Sequence, residues 1–289
     1  MTRFWSIAFS AFAVAFFALL LGIFVVQSIP AWQHAGADYV TGSRWFFRTH
    51  QFGALPMIYG TIVVSGVALL LAAPVGMASA IFTAEYLPRR ARLAVKVLIE
   101  LLAGIPSVIY GLLGILLLRN WIYDLFARFD ISSGDTLLTA AVLLAVMILP
   151  TVVTLSDDAL RGVPGAQRHA ARSLGLTHAE TIFSVSLRQS ARGLVSALLL
   201  GLGRAIGETI AVFLVIGRQD NHLPERWLSL RPLLESGQTL TSKLGGSETN
   251  IAYGDPLHWA AMMGLGLLLL AIVIVTTIGG VWKKVGPDA

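Results

Sequence analysis

Long apolar runs, separated by short charged segments, are the feature that most constrains this sequence. A helix that crosses a bilayer needs about 20 mostly apolar residues, because the hydrocarbon core is about 30 Å thick. This rule predicts six spans, at about 4–29, 56–84, 93–118, 136–156, 193–217 and 258–282. The sequence therefore predicts an all-α polytopic membrane protein.

The composition excludes most other classes of protein. Hydrophobic residues make up 56% of the chain and charged residues only 13%, whereas about a quarter of an ordinary soluble domain is charged. There is no cysteine, which excludes disulfide scaffolds, thiol nucleophiles and cysteine-based metal sites. The net charge of +5 does not indicate a nucleic-acid partner, because the charges flank apolar runs. We expect contact with membrane lipid instead.

The first span resembles a signal peptide, but its apolar stretch from Phe4 to Val26 is longer than the usual core of about 7–15 residues. Six spans place both termini on one side of the membrane. The loops on that side carry twelve Lys or Arg residues, against eight on the other side. Cytoplasmic loops are enriched in these residues, so both termini are predicted to be cytoplasmic.

The loops divide the chain into two parts. Residues 1–55 form the first helix and an external loop, and residues 56–285 form the main transmembrane domain. Within that domain, the polar segment 218–257 is external and is expected to cap the outer mouth. The segment 157–192 is cytoplasmic and amphipathic.

The cytoplasmic segment carries the signals of two short helices. Pro164 suits a helix start, and Gly175 suits a left-handed C-terminal cap. Thr177 followed by Glu180 is the spacing of a capping box. Ala170, Ala171 and Leu174 would form a small apolar face. Such a hairpin could dock into a partner's groove or simply lie solvated at the membrane.

The fifth span contains two charged residues, Arg204 and Glu208. Arg204 is predicted to lie about 18–21 Å from either end of this span, where a charge is expensive and usually faces a bundle interior or a substrate pathway. Glu208 would lie on the same helix face. The spacing of Gly203 and Gly207 favours close helix packing. A pathway and a neutralised structural pair both remain open on these residues alone.

A proline lies inside the third predicted span. Pro106 leaves a backbone carbonyl without its helical partner, and Ser107 could satisfy it. Interrupted helices often border transport cavities, although a packing kink fits equally well. Glu100 is expected near the cytoplasmic end of this span, where it could reach the membrane surface.

Motifs for chemistry within this chain are missing from the sequence. There is no G-x-x-x-x-G-K-[ST] phosphate loop, no H-E-x-x-H and no G-x-S-x-G. The chain is therefore expected not to be an enzyme and to hold no cofactor or metal. Its energy would come from a partner or from an ion gradient.

The cytoplasmic segment resembles the EAA loop of ABC importer permeases, which docks on an ATPase subunit. The resemblance rests on His169-Ala170-Ala171, Gly175 six residues after His169, and then Val185 and Leu187. His169 replaces the usual Glu, and Arg188 stands where Pro is common. The residues that this resemblance assigns to ATPase coupling are Gln167, Arg168, His169, Ala170, Ala171, Gly175, Leu176, Thr177 and Glu180.

Five further blocks are similar to the permease subunits of bacterial phosphate (Pst) importers, and the Ala211-Val212 ending resembles the C-type subunit. The blocks are 52–61, 73–76, 84–86, 100–111 and 203–212. The resemblance implies the ABC importer permease fold in the bacterial inner membrane. It also implies an A-type permease partner, an ATPase dimer that holds ATP and Mg, and a periplasmic phosphate-binding protein.

The function expected from this resemblance is ATP-driven import of inorganic phosphate. The resemblance favours the pathway role for the ionisable pair, so the candidate pathway residues are Arg204, Glu208, Pro106 and Ser107. The alternatives are a permease for sulfate, molybdate or a phosphonate, a non-ABC transporter, and a membrane scaffold.

Overall fold

The computed structural model describes residues 2–129, 131–224 and 230–282, and it is almost entirely helical. Residues 225–229 of the predicted external segment and 283–285 at the predicted domain end lie outside the described residues. The helices are α1 Thr2–Ala35, α2 Asp38–Thr41, α3 Leu55–Ile81, α4 Arg89–Ala103, α5 Ser107–Leu113, α6 Arg119–Phe126, α7 Leu137–Arg161, α8 Gly165–Ser173, α9 His178–Thr181, α10 Leu187–Gly207, α11 Ile210–Val215, α12 Leu240–Leu244, α13 Glu248–Ala252 and α14 Pro256–Trp282.

Shorter elements join these helices. Two strands, β1 Trp45–Phe46 and β2 Gln51–Phe52, form an antiparallel hairpin in which Trp45 lies opposite Phe52. Single 3₁₀ turns occupy 47–49, 127–129 and 231–234. Wider π-helical turns occupy 82–86, 114–118 and 182–186. Insertions of this kind inside α-helices are frequent at functional sites.

Among the described residues, five helical stretches are long and apolar enough to cross a membrane. They are Phe4–Ala35, Leu55–Tyr86, Ser107–Phe129, Leu137–Arg161 and Pro256–Thr277. Four of them match the predicted first, second, fourth and sixth spans. The predicted third and fifth spans differ, and in both a helix is interrupted.

The third span begins later than predicted. The predicted span 93–118 is interrupted beside its proline, since α4 ends at Ala103 and α5 begins at Ser107. Pro106 has no N–H to continue α4 and precedes the first residue of α5. Glu100 is exposed on α4, so it lies before the apolar stretch rather than inside it.

The fifth span is also divided. The prediction of one helix over 193–217 is wrong, because α10 ends at Gly207 and α11 begins at Ile210. Glu208, between them, has an extended backbone with φ −72° and ψ 123°. A break inside an apolar span is tolerated only where protein or a water-filled cavity satisfies the freed backbone groups.

Helix α7 lies at the centre of the bundle and packs against α3, α10 and α11. Small residues allow the closest of these contacts, as is common between membrane helices. A Cβ atom at Gly76 of α3 would lie only 2.7 Å from Val152 Cγ1 of α7. On the opposite side, α1 packs along α14. The core therefore fixes α3 and α7 as one closely packed pair.

The external segment folds onto the outer ends of the bundle. The backbone N–H of Leu240, at the start of α12, donates to Thr61 Oγ1 of α3 at 2.9 Å. The hydroxyl of Tyr39 donates to the carbonyl of Ala261 in α14 at 2.6 Å. The external segment therefore rests on α3, and Tyr39 of the first external loop rests on α14, through buried hydrogen bonds.

Candidate functional site

Arg204 lies in the last turn of α10, beside the break in the fifth span. A positive charge is favourable there, because the carbonyl end of a helix carries partial negative charge. Its Nη1 donates to Thr151 Oγ1 of α7 at 3.0 Å. The side chain is otherwise exposed in the isolated chain, and no ion pair involves it among the described residues.

The partner Thr151 fixes the depth of Arg204. Thr151 is fourteen residues from Leu137 and ten from Arg161, the two ends of α7. At 1.5 Å per residue these separations are about 21 Å and about 15 Å. The hydrogen bond therefore places the guanidinium beside the middle part of α7, away from both ends of that helix.

Glu208 is placed differently from the prediction. The four-residue spacing would bring it over Arg204 only on a continuous helix, and α10 ends between the two residues. Instead, Glu208 Oε1 accepts the N–H of Ala211 in α11 at 3.4 Å. Arg204 and Glu208 do not form an ion pair in the described part of the chain. Arg204 is a cation in the last turn of α10, and Glu208 is a carboxylate directly after the end of that helix.

Thr151 is the residue that sequence reasoning missed. It follows Pro150, which lies inside α7. A hydroxyl directly after a proline in an apolar span was a weak signal, because proline frees backbone groups that polar side chains often satisfy. The spacing within one span carries no information about which span Arg204 would face.

The second helix break lies next to the first. Pro106 cannot donate to the carbonyl of Leu102, which instead accepts the N–H of Ile105 at 3.3 Å and the hydroxyl of Tyr110 at 2.9 Å. Tyr110 therefore provides the side-chain hydrogen bond that was expected from Ser107. Tyr110 and Ala205 share one buried apolar cluster. A Cβ atom at Gly111 would lie 3.2 Å from Ala211 Cα, so α5 and α11 are in close contact just after their respective breaks.

The glycine pair of α10, Gly203 and Gly207, has few close neighbours among the described residues. A Cβ atom at Gly203 would meet only Thr277 Oγ1, at 3.9 Å, and one at Gly207 would meet no atom within 4 Å. Among the described residues, Gly203 therefore lies only beside Thr277 of α14, and Gly207 has no close neighbour.

The cytoplasmic segment forms the predicted helical hairpin. Gly175 has φ +89°, the left-handed conformation expected of a helix cap. Thr177 and Glu180 form the predicted capping box, in which the Thr177 N–H donates to Glu180 Oε2 at 2.8 Å. Hydrogen bonds from Thr177, first from its side chain and then from its backbone, lower the pKa of Glu180.

The outer face of this hairpin is exposed. Leu174 is 82% exposed and Phe183 is 69% exposed. His169 and Ala170 are exposed as well, whereas Ala171 is buried against the bundle. The three residues of the predicted apolar face therefore do not share one side of the hairpin, because Ala170 and Leu174 are exposed and Ala171 is buried. Large exposed apolar side chains on a hairpin are typical of a docking surface. Gln167 is also exposed, and Leu176 is half-buried.

Arg168 points the other way, into the bundle. Its Nη2 lies 3.2 Å from Glu85 Oε1, and this carboxylate is only 4% exposed. The same nitrogen donates to the carbonyl of Leu160, near the end of α7, at 2.6 Å. Arg168 therefore joins the hairpin to both α7 and the π-helical turn after α3.

Charged side chains also cluster in the external segment. Lys243, 2% exposed, lies 2.9 Å from both carboxylate oxygens of Asp220 and forms an ion pair with Glu248. Glu248 also accepts from His258 Nε2 at 2.9 Å and from Trp45 Nε1 at 2.5 Å. Burial alone would raise the pKa of Glu248. The hydrogen bond from Lys243 and the charge of Lys243, together with hydrogen bonds from Trp45 and His258, lower this pKa instead.

The sequence is similar to known membrane transporters over most of its length. Residues 72–282 match the family described as "Binding-protein-dependent transport system inner membrane component". The phosphate transport system permease protein PstC of Mesorhizobium japonicum is 33% identical, with 92% of this chain and 84% of that protein covered. PstC of Pasteurella multocida is 34% identical, with 91% and 85% covered.

Solved structures support the same fold. The chain is similar to a subunit of an inward-facing MetNI methionine ABC transporter, with a TM-score of 0.56, 19% identity, and 78% of this chain and 91% of that chain covered. A bacterial ABC transporter involved in alginate import gives a TM-score of 0.55 at 15% identity, with 94% and 96% covered. The chain has the ABC importer permease fold and is a multi-pass inner-membrane protein. It belongs to the family of binding-protein-dependent transport system inner membrane components.

Proposed function

We propose that this chain is the C-type permease subunit of an ATP-driven importer and translocates inorganic phosphate across the bacterial inner membrane. One observation carries the proposal. Arg204 lies beside a helix break and level with the middle part of α7, bonded to Thr151 but not to a carboxylate among the described residues. A charge in the middle of an apolar span is expensive, and such residues usually face a bundle interior or a water-filled pathway.

The chemistry of this site suits phosphate. An Arg guanidinium stays ionised and presents a planar set of donors that fits the oxygens of a tetrahedral anion. Phosphate carries a proton near neutral pH and can donate a hydrogen bond to a carboxylate. Sulfate is fully ionised and would be repelled. Glu208, just beyond the break, is therefore proposed to discriminate between the two anions or to hold Arg204 when the pathway closes.

Similarity to the PstC proteins supports phosphate over other oxyanions. Relatives at 33–34% identity, named as phosphate permeases, cover most of this chain. Pro106 and Ser107 are proposed to border the pathway, since the α5 helix that follows them packs against α11 near the Arg204 break. Translocation would need no cofactor within this chain, because ATP and Mg would bind to the ATPase.

The proposed partners correspond to three surfaces. An ATPase dimer would dock on the exposed face of the cytoplasmic hairpin, which carries Leu174 and Phe183. An A-type permease would pack against the open glycine face of α10. A periplasmic phosphate-binding protein would deliver the anion to the external segment.

The experiment is uptake of radiolabelled phosphate by proteoliposomes that contain the full complex, with and without excess unlabelled sulfate. We expect ATP-dependent uptake that sulfate does not suppress. Uptake suppressed by sulfate would indicate a broader oxyanion permease. No uptake by an assembled, ATP-hydrolysing complex would contradict the proposal. In the same assay Glu208→Gln should admit sulfate or slow phosphate, and an unchanged rate and selectivity would remove Glu208 from the mechanism.

A further inference from the structure

The cytoplasmic hairpin follows α7 and leads into α10 along the chain, and it also contacts the π-helical turn Phe82–Tyr86 at the end of α3. Glu85 forms an ion pair with Arg168 of α8 at 3.2 Å. The ring of Tyr86 lies edge-on to the ring of His178 in α9, with centroids 5.1 Å apart. Both helices of the hairpin therefore contact this one turn.

The same turn is joined to α7. Thr83 Oγ1 donates to Asp157 Oδ1 at 3.0 Å, and both side chains are buried. Arg168 reaches α7 as well, through its 2.6 Å hydrogen bond to the carbonyl of Leu160. The turn, the hairpin and the cytoplasmic end of α7 are thus joined by polar contacts, of which the Thr83–Asp157 hydrogen bond is buried and the Arg168–Leu160 hydrogen bond is half-buried.

Helix α7 leads from this junction to the candidate pathway. It carries Thr151, the partner of Arg204, six residues before Asp157. It also packs closely on α3, where Gly76 fits against Val152. A displacement of the hairpin would therefore move α3 and α7 together, and with them the hydroxyl that holds Arg204.

We infer that the buried Glu85–Arg168 ion pair is the mechanical link through which the ATPase partner drives the membrane pathway. Arg168 and Glu85 are positioning residues in this scheme, since neither contacts the transported anion. The first test below measures phosphate transport and therefore rests on the proposed function. Its physical basis is that a buried pair which loses one partner leaves an uncompensated charge, so the junction would open rather than transmit force.

The pair differs from other ion pairs at the same membrane surface. The Arg168 and Glu85 side chains are 20% and 4% exposed. Lys96 and Asp158 also form a pair, at 3.1 Å between α4 and α7, but their side chains are 31% and 53% exposed. Exposed pairs contribute little, and this one does not touch the hairpin. Lys96→Met is therefore the matched control.

The first test measures phosphate transported per ATP hydrolysed by the reconstituted complex. Glu85→Gln and Arg168→Met should retain ATP hydrolysis but lower this ratio by about tenfold, a typical size for coupling between sites. Lys96→Met should leave it unchanged. The exchanged variant, Glu85→Arg with Arg168→Glu, should recover part of the ratio. An unchanged ratio in both single variants of an assembled complex would overturn the inference.

The second test does not depend on the transported anion. The chain contains no cysteine, so spin labels at Ala166→Cys on α8 and Val75→Cys on α3 can be introduced directly, with cysteine-free partners. The inter-label distance should stay constant between the nucleotide-free and vanadate-trapped states. With Glu85→Gln added, it should shift or broaden between those states. A wild-type distance that changes, or an added Glu85→Gln that has no effect, would overturn the link, whatever anion the complex transports.

Discussion

The external segment and the cytoplasmic hairpin differ in how their charged side chains are paired and in which side chains they expose. In the external segment, Lys243 is 2% exposed and is held by Asp220 and Glu248 within the same chain. In the cytoplasmic hairpin, only Arg168 is held internally in this way, and the outer surface presents Leu174 and Phe183 to solvent. The buried cation of the external segment is therefore neutralised within the chain, whereas the hairpin exposes two large apolar side chains.

This difference between the two regions separates polar groups that stabilise the fold from polar groups that are available for function. Groups whose partners lie in the same chain stabilise the fold, since a buried charge without a partner is costly. Arg204 resembles the hairpin rather than the external segment, because its side chain bonds to the neutral Thr151 and to no carboxylate among the described residues. Substitutions should therefore separate into losses of transport and losses of stability.

The largest effect is expected at Arg204. Arg204→Ala should lower phosphate uptake about 100-fold, equivalent to about 2.7 kcal/mol, because the anion loses its charged partner. The thermal unfolding midpoint should change little, since the guanidinium is exposed in this chain. Uptake by proteoliposomes and unfolding in detergent measure the two effects. Arg204→Lys, which keeps the charge but not the planar fork, should retain part of the uptake. Normal phosphate uptake by Arg204→Ala would show that Arg204 is not needed for transport.

Lys243 should show the opposite pattern. Lys243→Met should destabilise the external segment by about 2 kcal/mol, less than for a fully buried pair because Asp220 is partly exposed and can regain water. Tryptophan fluorescence during thermal unfolding would detect the loss, since the Lys243 ammonium lies 5.5 Å from the centre of the Trp45 ring. Lys96→Met, from an exposed pair, should cost less than about 1 kcal/mol. Equal losses in the two variants would contradict the contrast between the faces.

Two exposed leucines test the docking surface. Leu174 is 82% exposed on the cytoplasmic side, and Leu230 is 78% exposed in the external segment. Leu174→Asp should weaken binding of the ATPase about tenfold, or about 1.4 kcal/mol. Leu230→Asp should not affect it. Binding of labelled ATPase to the permease in nanodiscs gives the two affinities, and equal affinities would argue against the hairpin as the docking site.

Tyr110 tests whether the helix break at Pro106 is structural. Tyr110→Phe removes the donor to the carbonyl of Leu102 and should cost about 1 kcal/mol of stability. Tyr123→Phe on α6, where the tyrosine side chain is more exposed, is the control. The unfolding midpoints of the two variants would be compared. If Tyr110→Phe were no less stable than the control, the freed carbonyl would not depend on Tyr110.

The smallest effect concerns pH. The pKa of Glu248 is lowered in the folded protein, so the stability that its carboxylate contributes is present above the ordinary glutamate value. It is lost as the pH falls through the lowered folded value. The unfolding midpoint should therefore fall on acidification from about pH 7 to about pH 3.5, and less steeply in Glu248→Gln. If the unfolding midpoints of the wild type and Glu248→Gln fell equally with pH, Glu248 would not contribute to the pH dependence of stability.

Local sequence signals predicted much of this structure. The apolar runs predicted α3, α7 and α14, and the Gly175 cap and Thr177–Glu180 capping box depend only on residues near one another in the chain. The break at Glu208 was not predicted, because it follows no proline and is set by packing around α10 and α11. The Glu85–Arg168 and Thr151–Arg204 contacts join residues far apart in sequence, and a single sequence does not specify such pairings.

The most direct test of the account asks whether Thr151, the partner of Arg204, lines an aqueous anion pathway. Thr151→Cys would be treated, in the assembled transporter, with anionic and cationic thiol reagents that do not cross membranes. Leu70→Cys, on an exposed apolar position of α3, is the control that should not react. We predict that Thr151→Cys reacts faster with the anionic reagent, that this preference is lost in Arg204→Ala, and that phosphate slows the reaction. No reaction in any state of the transport cycle would contradict this prediction.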